Sequence, residues 1–212
     1  MKKQEPNNPS KYQRGFTLIG LIATLAVVAA MLAFVIPSLT IASRAYKLKA
    51  LAKEIEEHLQ NRRISAINRY KAASLVFSSD NSWYYLDMNG NGIADSGEST
   101  YWAPTGGYSL NVSAPSTALT GAALGSSSTP TMLPNRGVNF SPRGSVNQLN
   151  SSQVATLTKL AAPGVIYLKD ASNNYAAVTI TSAGSIRSWM LRGTTWTPEN
   201  ASVGEQGLSL GQ

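Results

Sequence analysis

The most constraining feature of the sequence is an uncharged apolar run close to its N-terminus. The 21 residues from Phe16 to Ile36 include no charged side chain. As a helix rising about 1.5 Å per residue, they would cover roughly 30 Å, the thickness of a bilayer's hydrocarbon layer. The leader before the run, residues 1–15, carries four basic residues and one acidic residue: Lys2, Lys3, Lys11, Arg14 and Glu5. Because basic flanks stay on the cytoplasmic side, the sequence predicts one membrane-spanning helix with the remaining chain on the opposite side.

The junction between the leader and the apolar run reads Gly15-Phe16-Thr17-Leu18-Ile19. An ordinary secretory signal is cut after its apolar region, at a small-residue site. Here the leader ends before that region, and the arrangement resembles the class III signal of type IV prepilins and pseudopilins. The resemblance implies that a prepilin peptidase cleaves between Gly15 and Phe16 and methylates the new amino group of Phe16. A plain signal anchor is the alternative, but it explains the hydrophobicity and not the junction.

Two positions bear on how the apolar helix would be used. Pro37 lacks an N–H and would crowd the carbonyl of Ala33, so we expect a kink or local melting there. Gly20 occupies the fifth position of the expected mature chain, where the family usually has a glutamate that pairs with the N-terminal amine of a neighbouring subunit. Because a carboxylate in lipid is costly unless paired, that glutamate serves assembly. Its absence favours a minor subunit over a self-polymerising one, unless the pair is dispensable in this system.

The sequence after the apolar helix predicts an amphipathic helix. Apolar residues recur at intervals of three and four and form one stripe: Ala45, Leu48, Ala52, Ile55 and Leu59. Lys53 and Glu57 lie one turn apart, where they can pair. We expect a transmembrane helix of the filament core over residues 16–40, continued by the amphipathic helix over residues 41–70. His58, the single histidine, is expected to be a helix-surface residue without a catalytic or metal role.

Short runs of branched and aromatic residues predict β-strands in the rest of the chain. The runs are Ala73–Phe77, Trp83–Leu86, Val138–Phe140, Val165–Leu168, Tyr175–Thr181 and Ile186–Leu191. Turn residues between the first two runs and at Ala183-Gly184 predict two hairpins. The expected fold class is therefore α+β, with a long N-terminal α-helix, transmembrane in its first half, packed on a C-terminal antiparallel β-sheet domain over residues 71–198. This is the pilin fold that the resemblance implies.

Three segments lack strand signals. Residues 103–135 are rich in Ser, Thr, Ala, Gly and Pro and carry no charge. Because such a composition can bury little surface, we expect a low-complexity loop or insertion there. Residues 148–162 are expected to be a second insertion or a short helix. Residues 199–212 are expected to be a flexible tail.

Five short motifs resemble those of the GspH/FimT group of minor pseudopilins. They are Asn61–Arg69 at the helix end, Asp87–Gly92 after a tryptophan-containing strand, Phe140–Gly144, Val178–Ile180 and Gly184–Arg187. The resemblance covers most of the chain outside the two insertions. At Asn61-Arg62 and Ser65-Ala66 the residues differ from the usual sequence of the group. The resemblance implies a structural filament subunit.

The strongest chemical motif is the twelve-residue segment Asp87–Glu98, called here the calcium-pattern loop because it satisfies that pattern. Its oxygen donors would be Asp87, Asn89, Asn91, the carbonyl of Ile93, Asp95 directly or through water, and Glu98 bidentately. Calcium, the one cofactor that the sequence suggests, needs six to eight such hard oxygens, and Gly92 permits the sharp turn. The alternative is an ordered turn between two strands, held by side-chain-to-backbone hydrogen bonds.

A basic and aromatic set near the C-terminus raises the question of nucleic-acid binding. The set is Arg187, Trp189, Arg192 and Trp196. Such groups can hold nucleic acid through phosphate contacts and stacking, and some FimT-like proteins are thought to capture DNA with a similar segment. The formal net charge of +7, which falls to +4 without the leader, favours a polyanion only weakly. Since alternation separates Arg187 and Trp189 from Arg192, the ordinary interpretation is a solvent-side strand with interface aromatics.

No nucleophile–base pair or phosphate-binding loop stands out, and the chain has no cysteine, so the sequence predicts no enzyme and no disulfide or thiol chemistry. We expect a minor pilin or pseudopilin of a type II secretion or type IV pilus filament. It would be single-pass in the bacterial inner membrane, with a periplasmic C-terminal domain, and would later enter a periplasmic or surface filament. The expected partners are other pilins or pseudopilins, the prepilin peptidase and the inner-membrane assembly platform. The alternatives are a DNA-binding minor pilin for DNA uptake and a calcium-responsive membrane-anchored adhesin.

Overall fold

The structure, a computed structural model, describes residues 17–121, 124 and 128–199, without the side chains of residues 34–38. The predicted cleavage junction between Gly15 and Phe16 lies outside the described residues. The chain divides into two compact units, and the boundary falls between Ala42 and Ser43.

One helix, α1 (Leu18–Arg69), covers the described part of both predicted helical segments. Its backbone is helical through Pro37, so the local melting expected there is not found. In the first unit, many large apolar side chains of α1 are more than half exposed: Leu18, Ile19, Met31, Leu39 and Ile41. The helix ends before Tyr70, which takes a left-handed φ of 53°. A left-handed residue directly after the last turn is a common way for a helix to end.

The described residues of the second unit form twelve β-strands. In chain order they are β1 (Ala73–Phe77), β2 (Trp83–Asp87), β3 (Thr100–Trp102), β4 (Ser109–Val112), β5 (Thr131–Met132), β6 (Gly137–Phe140), β7 (Val146–Leu149), β8 (Ala155–Lys159), β9 (Gly164–Lys169), β10 (Tyr175–Ile180), β11 (Ile186–Arg192) and β12 (Thr195–Pro198). A short 3₁₀ helix, Pro134–Arg136, precedes β6.

The strands form two sheets. The first has the order β3-β2-β1-β6-β7-β8 and is antiparallel throughout. The second has the antiparallel order β12-β11-β10-β9-β4, and β5 pairs in parallel with β9. A long N-terminal helix and a large antiparallel β domain confirm the predicted α+β class.

The apolar stripe of α1 forms the centre of the core in the second unit. Leu48, Ala52, Ile55 and Leu59 are fully buried. They share one cluster with side chains from β1, β6, β9 and β10: Leu75, Phe77, Val138, Phe140, Ile166, Leu168, Val178 and Ile180. Because burying one Leu or Ile side chain stabilises the fold by about 1.5–3 kcal/mol, this stripe docks both sheets on the helix.

A buried carboxylate, that of Glu56, also connects α1 to the second sheet. Glu56 is 1% exposed. The Ser188 hydroxyl on β11 donates to its Oε2 at 2.6 Å, and the Lys53 ammonium lies 3.1 Å from the same oxygen. Gln60 donates to Oε1 at 3.2 Å. Burying this charge is tolerable because its oxygens are hydrogen-bonded.

Residues 103–135 differ from the predicted loop. They supply β4 and β5, which both pair with β9. Leu119 is 1% exposed and packs with Val165, Tyr167 and Trp189 on the sheet face turned away from α1. The amide of Leu119 donates to the Tyr167 hydroxyl at 3.0 Å. The segment therefore covers that face, because its few apolar residues lie against the sheet even though its average composition is small and polar.

Two further expectations need correction. Residues 148–162, expected to be an insertion or short helix, contain the end of β7 and all of β8. Glu199, expected to begin a flexible tail, is held in place: its amide donates to the Ser188 carbonyl at 3.1 Å, and its carboxylate pairs with Lys49. Residues 200–212 lie outside the described residues.

Candidate functional site

The described start of α1 carries the position that departs from the family pattern. The amide of Gly20 donates to Thr17 Oγ1 at 3.3 Å, and a Cβ on Gly20 would lie 3.2 Å from that oxygen. A larger residue would thus need only a small shift there. Among the residues that the structure describes, no helix has an apolar stretch of the length needed to cross a membrane.

Arg63, in the helix-end motif, connects α1 to hairpin turns of both sheets. Its Nε donates to the Gly144 carbonyl, in the β6–β7 turn, at 3.1 Å. Its Nη1 and Nη2 donate to the carbonyls of Gly184 and Ala183, in the β10–β11 turn, each at 3.1 Å. Three of the five motifs that carry the GspH/FimT resemblance therefore meet at one guanidinium. This contact was not predictable from the sequence, because the partners are 81 to 121 residues away and no local pattern indicates such a pairing.

Both turns require glycine where Arg63 approaches. Gly144 and Gly184 have φ values of 77° and 85°, which side chains other than glycine rarely adopt. A Cβ on Gly184 would lie 2.5 Å from Nε of Arg63, and one on Gly144 would lie 2.9 Å from Cδ1 of Ile67. The sequence could have indicated the two turns through these glycines, but not that Arg63 binds both of them.

The calcium-pattern loop follows β2 directly and is held by its own side chains. Asp87 accepts three backbone amides of the loop, at 2.6 to 3.1 Å. Asn89 and Asn91 each accept the amide two residues further on, at 3.0 and 2.8 Å. Glu98 accepts two amides, including that of Met88 at 2.7 Å. As expected, β2 enters the loop and β3 follows it, and no helix flanks it.

These side chains form an ordered turn. The side-chain amides of Asn89 and Asn91 donate to Oδ2 of Asp95 at 2.8 and 2.7 Å. The amide of Ile93 donates to Asn91. In the described part of the chain, no group of three or more His, Asp or Glu side chains is placed to hold a metal ion. The hydrogen-bonded turn is the geometry present, and calcium binding stays a prediction.

The loop is also packed against the first sheet. The Tyr85 hydroxyl donates to the Gly92 carbonyl at 2.6 Å, and the Ala155 amide donates to the Gly90 carbonyl at 3.3 Å. A Cβ on Gly92 would lie 2.5 Å from the carbonyl oxygen of Ser152. The loop thus covers the sheet face turned away from α1 and contacts the β7–β8 turn.

The basic and aromatic residues near the C-terminus differ in exposure: the tryptophans are buried or half-buried, whereas the arginines are exposed. Trp189 is 3% exposed, and its Nε1 donates to Thr179 Oγ1 at 2.9 Å. Trp196 is half-buried, and its Nε1 donates to a backbone carbonyl at 2.8 Å. Arg187 and Arg192 are exposed. Stacking of bases requires accessible ring faces, so the buried Trp189 does not supply one and the DNA-binding alternative rests mainly on the two arginines.

His58 differs from the expected surface residue. Its Nδ1 lies 2.7 Å from the Tyr84 hydroxyl, and its ring centroid is 4.1 Å from that of Tyr101. Burial lowers the pKa of His58, and the nearby Glu54 charge opposes that shift. The side chain is therefore part of an aromatic cluster between α1 and the first sheet.

Comparison with known families matches residues 10–36 to the prokaryotic N-terminal methylation motif. Comparison with curated proteins gives no match. Among solved structures, the crystal structure of the type IV minor pilin FimU of Pseudomonas aeruginosa matches with a TM-score of 0.45 and 12% identity, over 72% of this chain and 93% of that chain.

The motif match concerns the segment that contains the predicted cleavage junction. The chain therefore carries the N-terminal motif of the type IV pilin superfamily, which confirms the predicted resemblance at that level, while membership of the GspH/FimT group stays a prediction.

Proposed function

We propose that the chain is a minor pilin or pseudopilin, a structural subunit of a type IV pilus or type II secretion filament. The observation that carries this proposal is the methylation motif over residues 10–36, which runs into α1. The described apolar side chains at the start of α1 are exposed in the isolated chain. Exposed apolar surface of this extent is stabilised by burial in lipid or against other apolar helices. Association with other pilins would provide that burial within a filament.

The proposal assigns different places to the two units. Before assembly, the N-terminal helix would anchor the chain in the bacterial inner membrane, with the β domain in the periplasm. The prepilin peptidase would remove residues 1–15 and methylate Phe16. The inner-membrane assembly platform would then insert the mature chain into a filament. Gly20 supports a minor role, because it provides no carboxylate to pair with the N-terminal amine of a neighbouring subunit.

Processing of the N-terminus tests this proposal. The full chain is produced with a prepilin peptidase, and the mass of its N-terminal peptide is measured. We expect the mature chain to begin at N-methyl-Phe16. Gly15→Ala should leave the precursor uncut, whereas Gly20→Ala, a matched glycine change beyond the junction, should be cleaved normally.

Retention of Met1 in the unsubstituted chain, with an active peptidase present, would contradict the prepilin assignment. Cleavage after the apolar run, as in an ordinary secretory signal, would contradict it as well.

A further inference from the structure

A cleft of about 380 Å³ lies on the first sheet, on the side away from α1. Its lining includes Asp80, Trp83, Tyr85, Arg136 and Gln153. The volume is in the range of small-molecule sites, roughly 300–1,000 Å³. The lining residues come from the β1–β2 hairpin, the calcium-pattern loop, the 3₁₀ helix before β6 and the β7–β8 turn. None of them has a part in the N-terminal processing or the apolar helix proposed above.

Strained backbone is concentrated at this cleft. Arg136 and Gln153 have φ values of 58° and 60°, and the neighbouring Asn135 and Asn81 have 53° and 59°. Among the described residues, these are four of the seven left-handed positions that are not glycine. Arg and Gln have no local side-chain bond that favours this conformation, unlike Asn. In proteins such strained residues are concentrated at ligand sites, and they persist because the surrounding structure holds them in place.

The cleft contains two opposite charges, those of Arg136 and Asp80, which do not form an ion pair with each other. In the described part of the chain, Arg136 forms no ion pair with Asp80 or with another carboxylate. The hydroxyls of Ser78 and Ser82 hydrogen-bond the Asp80 carboxylate and lower its pKa to about 2, so Asp80 is ionised at neutral pH. A guanidinium and a carboxylate are therefore both available to one bound molecule.

An aromatic surface extends from the cleft to the edge of the sheet. Trp83 and Trp102 are opposite each other in the β2–β3 register, with ring centroids 5.7 Å apart. Trp83 is also 5.7 Å from Tyr85, whose ring is fixed by the hydrogen bond from its hydroxyl to Gly92. Trp102 is 67% exposed. The flat apolar face of an indole suits ligands that have one apolar face and a polar periphery.

We propose that this cleft binds a neutral carbohydrate, with the C–H face of a sugar ring on Trp83 and its hydroxyls bonded to Arg136, Gln153 and Asp80. A sugar hydroxyl can donate to the carboxylate and accept from the guanidinium, so it satisfies both charges at once. A phosphate or an acidic sugar would pair with Arg136 but would be repelled by Asp80. The paired charges therefore favour a neutral ligand over an anionic one.

The indole N–H signals of the four tryptophans test the proposal in the full chain, held in detergent micelles. The neutral probes are maltose, cellobiose and N,N′-diacetylchitobiose, and the anionic probes are glucuronic acid and inorganic phosphate. We expect at least one neutral disaccharide at millimolar concentration to shift the Trp83 signal saturably, with a smaller shift at Trp102. The signal of the buried Trp189, on the second sheet, should not move.

The Arg136→Asn variant tests the effect of the guanidinium on sugar binding without a loss of folding stability. Asn adopts the left-handed conformation more readily than Arg, so the variant should fold at least as stably, yet it lacks the guanidinium. We expect its affinity for the disaccharide to fall at least tenfold. Arg187→Asn removes an exposed arginine from the second sheet and should bind like the unsubstituted chain.

Four outcomes would overturn the proposal. They are no shift at Trp83 with any neutral disaccharide, equal shifts at all four tryptophans, unchanged affinity in Arg136→Asn, and tighter binding of glucuronic acid or phosphate than of the neutral sugars.

Discussion

Arg63 shows how one side chain can position two sheets on a helix. Its guanidinium donates to three carbonyls in two turns, each at 3.1 Å. A hydrogen bond to a charged group is worth about 1.5–3 kcal/mol when well buried, and less here because the contact is partly exposed. Lysine could not replace this arginine, because an ammonium lacks the planar fork that reaches both turns.

We expect Gly184→Ala to lower the free energy of unfolding by about 2–4 kcal/mol. The added Cβ would incur left-handed strain of about 1–2 kcal/mol and would also displace Arg63, whose Nε would be 2.5 Å away. Gly193→Ala is the matched control, since Gly193 has a φ of 62° but no atom within 4 Å of the added Cβ. It should incur the strain alone. Denaturant unfolding of the full chain in detergent measures both changes.

A double-mutant cycle isolates the contact between Arg63 and Gly184. In an Arg63→Ala background the clash is absent, so Gly184→Ala should be less destabilising by about 1 kcal/mol or more. Gly193→Ala should be unaffected by the same background. Strict additivity of Arg63→Ala and Gly184→Ala would contradict the assigned contact.

His58 should make stability depend on pH. Burial lowers its pKa in the folded chain from the ordinary value near 6.5, so the unfolded chain binds a proton more readily. The contribution of His58 to stability is therefore fully present above pH 6.5 and should be lost as the pH falls below that value. His58→Gln keeps a polar partner for Tyr84 and should reduce this slope, as measured by melting temperatures at several pH values. An unchanged slope in the variant would contradict the assignment.

Among the helices and strands, local sequence patterns predicted those elements that are determined by interactions between residues close in sequence. The spacing of Leu48, Ala52, Ile55 and Leu59 predicted the buried face of α1, because a helix repeats every 3.6 residues. Branched runs and turn residues likewise predicted the β1–β2 and β10–β11 hairpins, which the structure confirms.

Elements held by distant partners were not predictable in this way. Residues 103–135 resemble a loop by composition, yet Leu119 packs on Trp189 and Tyr167, which lie far away in sequence. The cleft that includes Arg136 and Gln153 was also missed, because its residues come from four separate segments of the chain. Only the fold brings such residues together.

The calcium-pattern loop remains a testable element. If it binds calcium, the melting temperature of the full chain should rise with calcium concentration, because a ligand of the folded state stabilises by mass action. Calcium would have to draw the oxygens of Asp95 and Glu98 away from their present hydrogen bonds. Glu98→Gln keeps an oxygen that can accept the Met88 amide, so it should fold without calcium but lose most of the calcium response.

Asp80→Asn is the matched control, since Asp80 lies in a different turn and should leave the calcium response intact. No thermal shift at millimolar calcium in the unsubstituted chain would leave the loop as an ordinary turn.

In the whole molecule, the two units have different proposed roles. The first unit presents an apolar helix whose side chains need partners outside the chain. The second unit has its own buried core, built by α1 and two sheets. In the proposed filament, Gly20 would leave this subunit without the carboxylate that pairs with a neighbour's N-terminal amine. The account therefore predicts a subunit that joins filaments built mainly from other pilins.

The composition of purified filaments tests whether the chain is a minor subunit. Filaments are sheared from cells that express the chain together with partner pilins, and their subunits are quantified by mass spectrometry. The account predicts the mature chain, beginning at Phe16, at far below the amount of the main subunit, and no filaments when the chain is expressed without partners. Filaments that consist mainly of this chain would contradict it.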